Sequence, residues 1–314
     1  MKLKDSFRED RVKAPTEVDV LPEVSDEKKV RRLKALFIVL CLALPSLTAL
    51  AKPIDVVFDL DWTLLYTTNA KAAEMDPRGV FEVEGKLYRL ADGAIEILRS
   101  LHDNPNYRVS FLSGGTASRN AEALKIVYGL VNSDGRKRSP YRVGHIDDLI
   151  RTEAPETARF TDKFKKRLRG FIPDFDPSRA VLVDDSKGFY AAEEEENFFW
   201  LQRTFDDIPD FSRRSELPVD PKYYPSSEDV WRSERAKLLW AFEAIERSRE
   251  ISERTDDASG FLKALKGMQA DRDSALGRDL IAGAHRRLGT TLKSVRLSCG
   301  EVVGRFLAPF QPGW

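Results

Sequence analysis

Four short apolar runs punctuate the middle of the chain, and the first three break off at small polar or acidic residues. Ile54, Val56, Val57 and Phe58 run into Asp59-Leu60-Asp61-Trp62-Thr63; residues 107–112 run into Ser113-Gly114-Gly115; residues 180–183 run into Asp184-Asp185-Ser186; Phe198-Phe199-Trp200-Leu201 is the fourth. Near-continuous apolar runs are what strands require when both faces of their sheet are covered. Between them the hydrophobic period lengthens to that of a helix. Ala94, Ile97, Leu98 and Leu101 share a face over residues 92–102, and residues 117–130 read as a second helix. Phe164, Leu168 and Phe171, at i, i+4 and i+7, predict a third, with Thr161 as its cap. Strands alternating with helices imply right-handed crossovers. The predicted fold is therefore α/β, a Rossmann-like parallel sheet flanked by helices.

Two segments depart from that rhythm. Val80-Phe81-Glu82-Val83, turning through Glu84-Gly85 into Lys86-Leu87-Tyr88, predicts a β-hairpin flap, and Gly144-His145-Ile146 is a candidate extra strand. Beyond Asp206 the pattern changes altogether. Prolines at 209, 218, 221 and 225 mark residues 206–227 as an irregular, Pro-rich connection over the surface. Trp231, Leu238, Leu239, Trp240, Phe242 and Ile245 then predict a long amphipathic helix over residues 230–251. Further helical patterns near residues 260–268 and 276–292 make 228–314 a helical C-terminal extension to an α/β domain at 52–205.

The N-terminal residues 1–51 form a separate segment. Residues 35–44 (ALFIVLCLAL) are ten apolar positions, preceded by Lys28, Lys29, Arg31, Arg32 and Lys34 and followed by Pro45 and Ser46. That is the order of a secretory signal, and Ala49-Leu50-Ala51 places small residues for cleavage before Lys52. The run is short of the roughly 20 apolar residues of a spanning helix, although an uncleaved anchor is the alternative. Residues 1–27 carry eight acidic side chains, unusual ahead of a signal. Export to the periplasm or the outside is the expectation, with any membrane contact confined to this segment. The 314 residues hold 51 basic and 51 acidic side chains, a balance that argues against a chain built around attraction to nucleic acid. Two cysteines, Cys41 and Cys299, cannot supply a disulfide framework.

The polar clusters all follow the C-terminal ends of predicted strands, where open α/β sheets place their ligand crevice. DLDWT at 59–63, the strand ending in Ser113, a lysine near 163 and LVDDS at 182–186, in that order, resemble the four motifs of the haloacid-dehalogenase-like (HAD) hydrolase superfamily. The resemblance covers residues 54–205, about half the chain. It implies a phosphatase in which Asp59 is the nucleophile that forms an aspartyl-phosphate and Asp61 the acid/base that protonates the leaving alcohol and then activates water. It implies Mg²⁺, held by Asp59, the backbone carbonyl of Asp61 and the Asp184-Asp185 pair, because carboxylates facing a phosphate need a hard cation between them. Asp185 is the expected direct ligand and Asp184 its neighbour, an order the sequence leaves open.

Ser113 is expected to donate to a phosphoryl oxygen with the backbone N–H groups at Gly114 and Gly115. A lysine should complete the cage; Lys163 is the first choice, 21 residues before Asp184 and in the first turn of its predicted helix, with Lys165 and Lys166 as alternatives. The four acidic residues Glu193 to Glu196 read as an exposed helical face. Only 49 residues separate Thr63 from Ser113 and 49 separate Ser113 from Lys163, too few beside the hairpin and core helix for a large cap domain. An uncapped crevice is open, which suits a bulky phosphorylated substrate such as a phosphoprotein or a nucleic-acid end, with a phosphorylated small molecule as the other partner expected. Two other readings use the same residues: a non-catalytic protein that binds through the phosphate pocket and its C-terminal helices, and a phosphotransferase whose acceptor is not water.

Overall fold

The computed structural model describes residues 52–255 and 260–289. The predicted leader and signal, both cysteines and the last residues of the final predicted helix lie outside them.

In chain order the elements are β1 (Ile54–Phe58), β2 (Leu65–Thr67), α1 (Ala70–Met75), β3 (Val80–Val83), β4 (Lys86–Leu90), α2 (Ala94–Asp103), β5 (Tyr107–Leu112), α3 (Ala117–Val131) and β6 (Arg142–Gly144). They continue with β7 (Ile150–Arg151), α4 (Phe160–Lys163), β8 (Phe164–Lys165), β9 (Ala180–Asp184), β10 (Phe198–Trp200), α5 (Glu228–Arg235), α6 (Lys237–Thr255), α7 (Gly260–Met268) and α8 (Ala275–Leu288). Five strands form one parallel sheet in the order β10-β9-β1-β5-β6. β1 lies at its centre, so the chain after Phe58 emerges between the ends of β5 and β9.

Alternate residues of the strands face two cores, as the period of two requires. Val56, Phe58, Val181 and Val183 pack with α2, α3 and the C-terminal helices, while Val57, Ala180 and Leu182 face Leu149, Leu168, Phe171 and Ile172. The C-terminal helices belong to the first core: Trp240 of α6 is fully buried, with its ring 4.7 Å from that of Phe199 on β10. Among the described residues, no helix is long and apolar enough to cross a membrane.

The predicted hairpin is present and gains a third strand, β2-β4-β3. Its turn puts Glu84 at φ 50° and Gly85 at φ 75°, the paired left-handed conformations of a two-residue hairpin loop. The extra strand ends at Gly144 rather than continuing to Ile146.

Three expectations are corrected. The helix predicted from Thr161 stops at Lys163, and the chain turns extended through β8 and into a bridge between Lys166 and Tyr190. Leu168 and Phe171 are buried anyway, through an irregular path broken at Gly170, whose φ is 91°. Glu194 is not exposed: its buried carboxylate accepts the backbone N–H groups of Leu168 and Arg169, replacing the helical bonds these amides would otherwise need. The Pro-rich connection does not simply run over the surface, since Asp207, Ile208 and Leu217 are buried. Asp207 accepts from Arg89 at 2.7 Å, from Thr68 at 2.6 Å and from Arg235 at 3.2 Å, joining the flap, the connection and α5.

Candidate active site

Asp59 is the first residue past β1 and is buried; Asp184 ends β9 and is fully buried. Because β1 and β9 are parallel neighbours, both carboxylates project from the same sheet edge. Carboxylate oxygens of Asp59, Asp184 and Asp185 lie within 4.8 Å of one another. Lys166 sits between two of them, its Nζ 2.6 Å from Asp59 Oδ1 and 2.6 Å from Asp184 Oδ2. Burial pushes the Asp59 carboxyl well above the usual carboxylate range; Lys166 works against this shift and the neighbouring aspartates add to it. Desolvation lowers the Lys166 ammonium, but its two carboxylate partners outweigh that and hold it above the ordinary lysine value. Asp185, less buried, is raised to about 6 by burial and by Asp184.

Lys166 therefore occupies the place expected of Lys163. Lys163 closes α4 and points the other way, its Nζ donating to the Glu156 carbonyl at 3.1 Å, and Lys165 donates to the Gly188 carbonyl at 2.6 Å. The reason is the change of period. Extended backbone after Lys163 alternates the faces, and the Lys166 N–H and C=O both pair with residues 189–191, which aims its side chain inward. Glu194, by fixing the next two amides, holds that register.

On the other side of the cluster, Ser113 follows β5 and is fully buried, and its Oγ donates to Asp61 Oδ2 at 3.4 Å while accepting from Gly115 N–H at 3.2 Å. Thr116 caps α3, so the N-terminus of a 15-residue helix faces this loop. Two glycines are needed here. A Cβ at Gly114 would fall 2.8 Å from the Phe160 ring, and one at Gly115 would fall 2.4 Å from Asn120 Oδ1.

Asp61 is not one of the three clustered carboxylates. Its two carboxylate oxygens are held by the guanidinium of Arg119, from the first turn of α3, which also lies 4.9 Å over the Tyr88 ring of the flap. Arg119 was not anticipated. Its place three residues after the capping Thr116, in a helix opening at the Ser113-Gly114-Gly115 loop, is the signal that points to it. Lys237 was not anticipated either. Fully buried on α6, it donates to the carbonyl of Trp62 and, at 3.1 Å, to Glu234, whose other contact is the Tyr66 hydroxyl at 2.7 Å. Trp62 has φ 59°, unusual for a bulky side chain, so the loop carrying Asp61 is held from behind by the C-terminal region.

Around the cluster stand four carboxylates, Asp59, Asp61, Asp184 and Asp185, against two cations, Lys166 and Arg119. A set of hard oxygen donors with that excess negative charge fits a divalent cation such as Mg²⁺.

The fold is a five-stranded parallel α/β sheet with its polar residues gathered at the strand ends, and the site is an acidic triad bridged by one buried lysine. No family profile matches the chain, and no curated protein matches it. Among solved structures it is similar to Fcp1, an essential RNA polymerase II CTD phosphatase, at 17% identity, over 74% of this chain and 70% of that one, with a TM-score of 0.36. It is likewise similar to an Arg-to-Ala variant of fission yeast RNA polymerase II CTD phosphatase Fcp1 bound to beryllium fluoride, at 17% identity, over 84% and 70%, TM-score 0.36. At that degree of overlap neither neighbour says what the present chain acts on.

Proposed function

We propose that the protein is a divalent-cation-dependent phosphatase that hydrolyses phosphate monoesters through an aspartyl-phosphate. The observation that carries this reading is the Lys166 ammonium 2.6 Å from both Asp59 and Asp184, with Asp185 alongside, at the mouth of a parallel sheet. A phosphate ester is slow to hydrolyse because its negative charge repels nucleophiles, and this arrangement supplies a nucleophile together with compensating charge.

In the first step an Asp59 oxygen bonds to phosphorus, the ester P–O bond breaks, and the leaving oxygen takes a proton from Asp61. In the second, Asp61 takes a proton from water, whose oxygen attacks phosphorus and frees Asp59 and inorganic phosphate. Arg119 orients the Asp61 carboxylate between these roles. Lys166 balances charge on the transferring group, and Ser113 with the loop amides at Gly114 and Gly115 donates to its oxygens. Asp59, Asp184 and Asp185, with the Asp61 backbone carbonyl, would hold Mg²⁺, whose contribution is to let an anionic ester approach the carboxylates. Export through residues 1–51 is part of the proposal and is supported by the basic and apolar pattern of that segment.

The test is a panel of phosphate monoesters on the purified full chain with Mg²⁺ and with excess chelator. Turnover should need the metal and should vanish in Asp59→Asn, whose amide cannot form the acyl phosphate. Turnover of that folded variant within tenfold of the parent would exclude Asp59 as nucleophile.

A further inference from the structure

Four aromatic side chains line the cleft that holds the acidic cluster. The cleft has a volume of about 690 Å³ and contains Asp59, Asp61 and Asp185 at its base, with Trp62, Tyr88, Phe160 and Phe189 around them. Phe160 is 39% exposed, an unusual state for a phenyl ring that neighbours could cover. It is held in place nonetheless: its centroid is 4.8 Å from that of Phe164 and 5.7 Å, edge-on, from that of Phe189. It also rests against Gly114, where a Cβ would lie 2.8 Å from its ring. Phe189 in turn covers Lys166, whose Nζ is 4.7 Å from the ring centroid. Trp62, also lining the cleft, makes an edge contact with Tyr66 at 6.2 Å, and the buried Tyr88 ring carries Arg119.

These rings have a common relation to the proposed chemistry. With phosphorus at Asp59 and its oxygens toward Lys166 and the Ser113 loop, the ester oxygen must face Asp61 and the cleft opening. Whatever that oxygen carries then meets the exposed part of Phe160, with Phe189 and Trp62 lining the same cleft, while Tyr88, itself buried, has its ring face taken by Arg119. A flat apolar group makes edge-to-face and offset contacts there, whereas a short alkyl chain leaves the rings wet and brings polar backbone among them. Lys86, Thr116, Arg119 and Ser186 line the same cleft, and Glu84 at the flap tip accepts from Ser118 Oγ at 2.9 Å.

We propose, resting on the phosphatase reading above, that this aromatic collar selects the leaving group, and that the preferred substrates are phosphate monoesters of aromatic alcohols, the phosphotyrosyl side chain being the form a protein would present. Phe160 is the specificity-determining residue, because it is the most exposed ring and is braced by its neighbours.

The full chain with Mg²⁺ should turn over O-phosphotyrosine with a kcat/KM at least about tenfold above O-phosphoserine, most of it through KM, since ring contacts act on binding. Phe160→Ala should pull that ratio toward one, while Phe160→Tyr, which keeps the ring, should restore it. Equal kcat/KM for the two esters, or a Phe160→Ala loss shared equally by both, would overturn the inference. A binding arm separates this failure from failure of the catalytic reading. On Asp59→Asn, calorimetric titration should find phenyl phosphate bound about tenfold more tightly than glycerol 2-phosphate. Tighter phenyl phosphate binding in a protein that cleaves no ester would retire the phosphatase and keep the collar; equal binding would retire the collar whatever the turnover.

Discussion

Replacing Lys166 by alanine is the perturbation that separates the geometry from the motif pattern. Its ammonium bridges two carboxylates whose side chains are 6% and 0% exposed, and no other cation touches either of them among the described residues. Removing one partner of a buried ionic group leaves uncompensated charge, at a cost of about 3 to 5 kcal/mol. Urea unfolding in chelator should register that loss as a lower midpoint at unchanged slope. Mg²⁺ should recover part of it, because a divalent ion among Asp59, Asp184 and Asp185 replaces the missing positive charge and binds only the folded chain. In turnover, a preorganised charge donor is worth about 2.7 to 4 kcal/mol, roughly a hundredfold to a thousandfold in kcat. Lys163→Ala is the internal control. Its neighbour Glu156 is 74% exposed at 3.7 Å, so the pair should contribute less than about 1 kcal/mol and the rate should hold. Lys166→Ala with a stability loss under about 1 kcal/mol and a rate within threefold of the parent would refute the charge argument, since neither the buried-charge penalty nor the electrostatic role would then exist.

Other outcomes follow from the same residues. In chelator the chain should lose stability as pH rises from about 4 through 6: Asp185 is raised from 3.8 to about 6, so its contribution is complete below the unfolded value and is lost above the folded one, up to about 3 kcal/mol by linkage. Added Mg²⁺ should flatten or invert that slope, and a flat profile in chelator would contradict the shift. Lys237→Met should lower kcat more than it raises KM, because it frees the Trp62 carbonyl behind Asp61 without touching substrate; a change in KM alone would point to a different role. Protein recovered outside the cytoplasm should begin at or within a few residues of Lys52, and recovery of a chain retaining residues 35–51 in the membrane would favour the anchor.

The parts of the site that were legible are those fixed by strand ends. Asp59, Ser113 and Asp184 follow apolar runs, and a parallel sheet brings such ends together whatever the loops do. The flap was legible for a local reason, since Glu84-Gly85 between alternating residues specifies a tight turn. Lys166 was not, because Phe164, Leu168 and Phe171 fit a helical stripe as well as they fit the irregular path they take. Gly170 and Pro173 were the breakers to weigh, yet even they do not say which of Lys163, Lys165 and Lys166 turns inward. That choice depends on pairing with residues 189–191 and on Glu194, both distant in sequence. Lys237 shows the same limit in stronger form: it lies 175 residues from the carbonyl it holds, and nothing near it in the chain marks it as more than a helix residue.

The C-terminal helices are therefore best understood through the charges they bury. A helical appendage added only for stability would present apolar residues to the sheet, as Trp240 and Phe242 do. Beside them, however, the start of α6 and the end of α5 bury Lys237, Glu234 and Arg235, and Arg235 pairs with Asp92 at 2.6 Å and Asp207 at 3.2 Å. Buried ionic groups seldom add net stability over apolar ones of similar volume, but they tolerate few alternative arrangements. Two of the directional contacts, Lys237 to the Trp62 carbonyl and the Tyr66 hydroxyl to Glu234, reach the turn that runs from Asp61 through the left-handed Trp62 into β2, while Arg235 ties α5 to Asp92 and Asp207. The apolar part of the C-terminal region holds the helices to the sheet, and its polar part reaches the loop that bears Asp61, the acid/base of the proposed mechanism. A truncation before Glu228 would remove both, so residues 52–227 alone should not keep the geometry of that loop.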